Sequence, residues 1–191
     1  MTLQRQMAFF STFSIVKILL LIALLIQPSI GIGSSQTLVN IICQDVGRGQ
    51  QRDEDFCLDF FEQHTGGPEK HIEDLMQITI QQTLENTTNS IIFVSKLRKS
   101  SKPNISNLLS ICESGYNLLK DVLVDASFSL AQRNFGNVQF DAEKCPRFVQ
   151  DCRKNVDGTV AQMRTINIQM DLLVRISLAT SKRLGTQKTL Y

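Results

Sequence analysis

Residues 105–130 read "ISNLLSICESGYNLLKDVLVDASFSL", and this stretch decides the fold class. Its apolar residues are spaced alternately by four and three positions: Ile105, Leu109, Cys112, Tyr116, Leu119, Leu123, Ala126 and Leu130. Because an α-helix has 3.6 residues per turn, this spacing places them in one stripe along about seven turns. The pattern predicts a long helix that packs lengthwise against other helices.

Three further segments show the same helical period, at about His71–Lys99, Val138–Val156 and Val160–Leu184. The first stripe is Ile72, Met76, Ile80, Leu84, Ile91, Val94 and Leu97; the Val138 stripe is Val138, Ala142, Cys145, Val149, Cys152 and Val156; the last is Met163, Ile166, Met170, Leu173, Ser177, Thr180 and Leu184. Turn clusters separate the segments, and few strand signals occur. We therefore predict an all-α, up-down-up-down four-helix bundle over residues 69–186.

Two residues refine the predicted helix ends. Gly185 follows the last stripe directly and is predicted to cap the final helix. Pro146 lies inside the Val138 segment, where a proline removes a backbone donor and costs about 3 kcal/mol unless the helix bends. We expect a kink near Ala142–Cys145, or a helix that starts at Pro146.

Residues 1–33 have the pattern of a secretory signal peptide. They contain Arg5 and Lys17 but no acid, then nine consecutive apolar residues (Ile18–Ile26) and a small-residue stretch. The alternative is a membrane anchor, but nine residues cover only about 14 Å of a bilayer core of roughly 30 Å. We predict cleavage after Gly31 or Gly33, with residues 34–191 forming the secreted domain.

Removal of residues 1–33 changes the charge of the chain. The full chain has 20 basic and 18 acidic residues, so loss of two basic residues leaves 18 of each. The secreted part also has no lysine or arginine run, which excludes the electrostatic pattern of a nucleic-acid-binding protein. We expect no nucleic-acid partner, and no membrane attachment after cleavage.

The cysteines predict two disulfides. The stretch "ICQDVGRGQQRDEDFCL" (Ile42–Leu58) places Cys43 and Cys57 on either side of a polar segment. Pairing them gives a helical hairpin over residues 34–65, with "QDVGRGQQRDED" as its tip and the acids of "RDED" capping the second short helix. Secretion provides an oxidising compartment in which such a bond persists.

The second predicted disulfide joins Cys112 to Cys152, which lie at similar heights on the inward stripes of antiparallel neighbours. Cys145 and Cys152 would be about 10.5 Å apart on a continuous helix, too far to pair unless the Pro146 break folds them together. Cys145 is then a free thiol on a core stripe. The interpretation of Cys145 as a redox or nucleophilic thiol needs a basic or histidine partner.

The asparagine and histidine residues indicate candidate glycosylation sites rather than a catalytic site. Asn86 and Asn104 begin N-x-S/T sequons and are candidates for N-glycosylation. His64 and His71 flank "TGGPEK" and match no metal-ligand spacing, so we interpret them as solvated linker residues. The sequence contains no set of residues that could serve together as a nucleophile, a general base and an oxyanion site. We predict that the protein is not an enzyme and has no cofactor and no metal site.

The ordered set of features resembles the plant invertase and pectin methylesterase inhibitor family. The resemblance covers about Thr37 to Leu184 and includes the hairpin "ICQDVGRGQQRDEDFCLDFF" and "ICESGYNLLKDVLVDA", with its C-x-x-x-Y. The family pairing implies the same two disulfides. The resemblance also implies a secreted protein of the plant apoplast or cell wall that forms a stoichiometric complex with a carbohydrate-active enzyme and covers its substrate cleft.

The resemblance leaves the target open between pectin methylesterase, which we favour, and acid invertase of the cell wall or vacuole. In invertase inhibitors of the family, a Pro-Lys-Phe motif resembles the element that enters the target's active site. The matching residues here are Arg133, Asn134 and Phe135, and only the phenylalanine is kept. These three residues are the candidate target contacts.

Two alternatives come from other functional classes. One is a bundle that binds a small apolar ligand in its core. The other is a secreted structural or signalling protein without inhibitory activity, since a fold does not fix a function. The oligomeric state, including a dimer linked through Cys145, is open.

Overall fold

The computed structural model describes residues 35–66 and 70–187, and the predicted signal peptide lies outside them. The described residues contain six helices: α1 (Ser35–Gly47), α2 (Gln51–Thr65), α3 (Ile72–Ser100), α4 (Pro103–Ala131), α5 (Phe135–Val156) and α6 (Ala161–Gln187). No strand occurs within these residues, so the all-α prediction is confirmed.

The four long helices form the predicted up-down-up-down bundle. Helix α3 packs against α4 and α6, and α5 packs against the same two helices, so the four helices close into a ring. Short connections join them, the longest being residues 157–160 between α5 and α6. Such connections require consecutive helices to be antiparallel.

The α4 and α5 stripes form the interior of the bundle as predicted. Of the α4 stripe only Ile105 is half-buried, and every other member is buried. All six members of the α5 stripe are buried. The strict four-three spacing of apolar residues is therefore a sufficient signal for the inward face of these two helices.

The interior face of α3 is more polar than its predicted stripe. Leu84, Ile91 and Leu97 are only half-buried, whereas Thr79, Thr83, Thr87 and Ser90 are buried. The three threonine hydroxyl groups are satisfied: Thr79 Oγ1 donates to the Met76 carbonyl at 2.9 Å, Thr87 Oγ1 donates to the Thr83 carbonyl at 2.7 Å, and the Thr83 and Ser177 hydroxyls lie 3.1 Å apart across α3 and α6. A buried threonine with a bonded hydroxyl packs like a small apolar residue.

Pro146 does not begin a helix, contrary to one of the two predictions for it. Helix α5 starts at Phe135 and continues through the proline to Val156. The inward stripe keeps its register across Pro146, with Cys145 before it and Val149 after it fully buried. Burial on both sides offsets the lost backbone hydrogen bond.

The predicted Gly185 cap is wrong, because α6 continues to Gln187. Leu184 is buried, so the last turn is held by packing rather than ended by a left-handed glycine. A Cβ atom at position 185 would lie 2.7 Å from Gln139 Oε1 of α5. The glycine thus leaves room for a neighbouring side chain.

The hairpin has a shorter tip than predicted. Helix α1 continues past Cys43 to Gly47, and α2 begins at Gln51, so most of the polar segment is helical. The turn is made by Arg48 and Gly49, both with positive φ, and by a bond from the Gln50 N–H to the Gly47 carbonyl at 2.8 Å. The acids do not cap α2. Asp53 and Glu54 lie inside its first turn, where they still face the positive end of its dipole.

The hairpin docks mainly on α6 through a set of arginine contacts that we call the clasp. Arg175 donates to the Val46 carbonyl at 3.1 Å and pairs with Asp53, while Arg183 Nε donates to Asp45 at 3.1 Å. The disulfide between Cys43 and Cys57 holds α1 and α2 together, with their Cα atoms 5.3 Å apart. The clasp therefore fixes a hairpin that is already cross-linked.

Candidate functional site

The turn between α4 and α5 carries the candidate target contacts. Arg133 has φ of 55°, in the left-handed region, and its N–H donates to the Leu130 carbonyl at 2.9 Å. The N–H of Asn134 donates to the Ser129 carbonyl at 2.8 Å. This pair of bonds is the Schellman pattern that ends many helices, but the left-handed position usually holds glycine. A non-glycine residue there costs of order 1 kcal/mol and marks a constrained turn.

The side chain of Arg133 is tied to a second helix. Its Nη2 atom lies 3.2 and 3.0 Å from the two carboxylate oxygens of Glu73, in the first turn of α3. The Arg133 side chain nevertheless stays 75% exposed and Glu73 40% exposed. An ion pair this exposed contributes only about 0–1 kcal/mol, so a stronger partner could take the arginine.

The other two candidate residues have structural roles. The Asn134 side chain accepts a bond from the Asn137 N–H at 3.3 Å and caps α5. Phe135, the first residue of α5, is half-buried and packs against the bundle core. The structure therefore brings the three residues together in one turn, where Arg133 presents the one charged group outward.

Exposed apolar side chains concentrate on the two helices that this turn joins. Five of the eight large apolar residues that stand exposed among the described residues belong to α4 or α5, and they are Ile111, Leu118, Val124, Phe128 and Phe140. Exposed apolar surface of this kind is typical of interaction sites. We call the side on which α4 and α5 meet, with Ile111 and Leu118 of α4 and Phe140 of α5, the α4–α5 face.

A groove of about 550 Å³ runs along the α4–α5 face. Ile111 and Leu118 line it from α4, and Arg147, Phe148 and Asp151 line it from α5. Its floor exists because Gly115 lets the helices approach closely: a Cβ atom there would lie 2.9 Å from the Phe148 carbonyl oxygen. The groove combines an apolar floor with charges of both signs.

A cation lies on the same face beside an exposed aromatic ring. Lys144 Nζ is 3.9 Å from the centroid of the Phe140 ring and 2.7 Å from Asp141 Oδ1. Because the ring is 60% exposed, the pair presents an aromatic surface with a positive charge above it. Aromatic and cationic groups together are frequent anchors in protein interfaces.

Two buried features hold the α4–α5 face rigid. The disulfide between Cys112 and Cys152 brings the Cα atoms of α4 and α5 to 4.4 Å. Beside it, the buried Tyr116 hydroxyl donates to Asn167 on α6, and Asn167 donates to Asp157. Burial, with the Asp157 carboxylate nearby, raises the pKa of Tyr116 well above its usual value, so the hydroxyl stays a neutral donor.

The remaining cysteine is not a nucleophile. Cys145 is free and fully buried, and its thiol donates to the Asp141 carbonyl at 3.4 Å. Burial and the nearby Asp141 carboxylate raise the pKa of Cys145 from 9.0 to about 12. A neutral, inaccessible thiol neither attacks a substrate nor links two molecules.

The two sequon asparagines lie in different environments. Asn86 is half-buried in the middle of α3, whereas Asn104 is exposed in the first turn of α4. His64 is not a linker residue as predicted, because it lies in the last turn of α2, where Nδ1 is 2.7 Å from the Phe60 carbonyl oxygen. His71 caps α3 reciprocally with Asp74.

The described residues contain no cluster of side chains that could bind a metal ion. Within residues 35–66 and 70–187, no three histidine, cysteine or acidic side chains are grouped so that they could hold an ion. None of the helices described has the length and apolar character needed to cross a bilayer.

The comparisons with known proteins identify the family. Residues 37–184 match the sequence profile of the family described as plant invertase/pectin methylesterase inhibitor. This chain belongs to that family. The assignment agrees with the resemblance found from the cysteines and the hairpin, and the members of this family are inhibitors rather than enzymes.

A solved structure supports the fold of this inhibitor-family chain. It is the crystal structure of a pectin methylesterase inhibitor from Arabidopsis thaliana, with a TM-score of 0.58 and 16% sequence identity. The similarity covers 78% of this chain and 96% of that chain. No curated protein sequence matches this chain.

The sequence reasoning missed two parts of the candidate site. The partner of Arg133, Glu73, is 60 residues away, and no local pattern connects them. The sequence did contain a signal for the groove, since Gly115 lies inside the helix with the clearest stripe, next to Tyr116. A glycine at such a position indicates close packing of a neighbouring backbone.

Proposed function

We propose that this chain is a secreted inhibitor that binds and blocks a cell-wall pectin methylesterase in a stoichiometric complex. The observation that carries the proposal is the family match over residues 37–184 on a disulfide-stapled bundle. The fold similarity to an Arabidopsis thaliana pectin methylesterase inhibitor supports this target. The secretory pattern of residues 1–33 supports an extracellular location.

The α4–α5 face is the proposed contact surface. It has exposed apolar residues of both helices, the groove beside Gly115, and the outward Arg133 at one end. The Cys112–Cys152 disulfide and the close helix contact order this surface before binding. A surface ordered in advance loses less conformational entropy on docking, which favours tight inhibition.

The turn residues favour a pectin methylesterase over an invertase as target. Of the Pro-Lys-Phe pattern, only Phe135 matches, and its side chain packs inward on the core. The one cation of the turn, Arg133, is already paired with Glu73. The element that resembles the invertase-binding motif is thus engaged within the chain.

The test of the proposal is an inhibition assay with purified residues 34–191. We expect slower pectin demethylation by at least one plant methylesterase at mildly acidic pH, with a stoichiometric end point in titration. Inhibition of an acid invertase, together with no effect on a panel of methylesterases, would reverse the choice of target.

A matched pair of variants tests the contact surface. Leu118→Asp places a charge in the groove of the α4–α5 face, and Ile92→Asp places one at an exposed apolar site on α3. Both side chains are exposed, so both proteins should fold. We expect Leu118→Asp to weaken inhibition at least about tenfold, the cost of burying an unpaired charge at an interface, and Ile92→Asp to leave it unchanged. Equal effects would contradict the assignment.

Affinity capture from cell-wall extract separates inhibition from the alternative functions. An esterase or glycosidase retained by the immobilised protein supports an inhibitor. A receptor ectodomain as the retained partner would instead support signalling, and a co-purifying apolar molecule would support ligand binding in the bundle.

A further inference from the structure

A second groove lies between the hairpin and the bundle, away from the α4–α5 face. It has a volume of about 210 Å³ and is enclosed by α2, α3 and α6. Phe56, Phe60 and His64 line one side, and the amides of Gln82, Asn86 and Gln169 line the other. The rings of Phe60 and His64 pack with their centroids 4.9 Å apart.

The chemistry of this groove suits a neutral sugar. Aromatic faces pack against the C–H faces of a pyranose, and amide side chains donate and accept bonds with hydroxyl and acetamide groups. Aromatic walls with a few convergent polar groups are typical of small-molecule sites. A free sugar would bind weakly in so small a groove, whereas a covalently attached one would have a high effective concentration there.

Asn86 is positioned for such an attachment. Its Oδ1 atom accepts from Gln169 Nε2 at 3.2 Å, and its Nδ2 atom donates to the Gln82 carbonyl at 2.9 Å. These two bonds fix the side chain at the groove wall. An amide nitrogen has two hydrogens, and among the described residues the structure gives Nδ2 one acceptor. The second N–H position is available without breaking either bond.

The sequence around Asn86 supplies the modification signal. Residues 86–88 read Asn-Thr-Thr, an N-glycosylation sequon in a chain with a secretory leader pattern. We propose that Asn86 carries an N-linked glycan whose first N-acetylglucosamine occupies the groove between α2, α3 and α6 and stabilises the docked hairpin.

In the secretory route, the sugar is donated by an oligosaccharide attached to a lipid pyrophosphate. The bond between the sugar C1 atom and the phosphate oxygen breaks, and a bond between C1 and Nδ2 forms. Nδ2 loses one proton, and the lipid pyrophosphate leaves. The retained N–H still donates to the Gln82 carbonyl, because only one of the two hydrogens is replaced.

The seated sugar would add polar contacts at the end of α2, where Phe60 and Phe61 belong to the buried core. The clasp holds the turn end, through Asp45, Val46 and Asp53. Among the described residues, no ion pair joins the end of α2 near Phe60 and His64 to the bundle. A glycan in the groove would therefore protect residues 56–64 from local opening.

The first experiment measures occupancy in residues 34–191 secreted from yeast behind a cleavable leader. Peptide mass spectrometry after enzymatic deglycosylation in heavy-oxygen water marks each occupied asparagine. We expect Asn86 to be occupied. With native protein, we expect release of the Asn86 glycan to be at least about tenfold slower than release from an exposed site such as Asn104, with no difference after denaturation. If Asn104 is unoccupied, the same protein after denaturation gives the reference rate.

The second experiment compares hydrogen exchange of residues 56–64 between variants. Thr88→Ala removes the Asn86 sequon without changing either bond of Asn86, whereas Thr88→Ser keeps the sequon. Ser106→Ala removes the Asn104 sequon as a matched control. We expect several-fold faster exchange in Thr88→Ala alone. Trimming the glycan to its first sugar should preserve protection, because that sugar is the one in the groove.

Two results would overturn the proposal. One is an unoccupied Asn86 in the secreted protein. The other is an occupied Asn86 with equal exchange of residues 56–64 in Thr88→Ala and in the unchanged sequence. Neither result bears on the choice of target enzyme, since the inhibition assay uses the α4–α5 face.

Discussion

The close contact between α4 and α5 predicts that Gly115→Ala destabilises the protein, although alanine is the better helix former. In a helix interior the exchange alone would stabilise by about 0.5–1 kcal/mol. Here the added Cβ atom would lie 2.9 Å from the Phe148 carbonyl oxygen. Because that atom belongs to a backbone that the neighbouring disulfide holds in place, the helices must separate, at an overpacking cost of about 1–3 kcal/mol.

The chain offers a matched control in Gly136→Ala, at the start of α5. The new Cβ atom there would be 3.9 Å from Asn134 Oδ1, an ordinary contact. This variant should be neutral or more stable by up to about 1 kcal/mol. The two free energies of unfolding, measured by urea titration followed by circular dichroism, should differ by roughly 1–3 kcal/mol.

The same two variants test the link between packing and function. Separating α4 from α5 changes the floor of the groove, so Gly115→Ala should also weaken inhibition, while Gly136→Ala should not. A Gly115→Ala protein as stable as Gly136→Ala, with unchanged inhibition, would refute the close approach of the helices as the basis of the groove.

Three further predictions concern single residues. Arg133→Gly should stabilise the protein by about 1 kcal/mol in urea titration, because glycine adopts the left-handed conformation freely, while inhibition weakens if the arginine contacts the target. Cys145 should react with a thiol reagent only as fast as the protein unfolds, which a comparison with the unfolding rate in urea checks. Because the pKa of Cys145 is raised in the folded protein, only the unfolded thiol ionises between pH 9 and about pH 12. The contribution of this thiol to the free energy of unfolding is therefore complete below pH 9. It is lost as the pH rises from 9 towards 12, by about 1.4 kcal/mol per pH unit. Stability curves of the unchanged protein and Cys145→Ala should therefore converge with rising pH, and parallel curves would contradict this cause.

The apolar stripes of α4 and α5 could be read from the sequence because each inward position is apolar. The α3 stripe could not be read in full, because Thr83 and Thr87 satisfy their hydroxyl groups within the helix and against Ser177. A sequence scale counts such residues as polar regardless of these bonds. The difference lies in hydrogen-bond partners, which depend on the neighbouring helix.

Helix boundaries were less predictable than helix faces. The polar residues predict a long hairpin tip, yet most of this segment extends α1 and α2, since α6 supplies Arg175 and Arg183 as partners for its acids. Gly185 predicts a helix end, and Pro146 predicts a kink or a helix start, but packing of α5 and α6 keeps both residues inside helices. Tertiary contacts override local propensity at these positions.

Arg133 shows why the site itself was only partly predictable. The sequence places a cation in the α4–α5 turn, and from this alone the cation is free to enter a target. The structure adds two constraints: a left-handed backbone and a carboxylate, Glu73, from another helix. Both direct the guanidinium along the bundle surface while leaving it exposed. A target carboxylate that accepts two parallel hydrogen bonds, in a site from which water is excluded, would compete with Glu73 for Arg133. A target without such a carboxylate would leave Arg133 paired with Glu73. The contribution of Arg133 to binding is therefore set by the partner, which is why the turn motif alone does not determine the target.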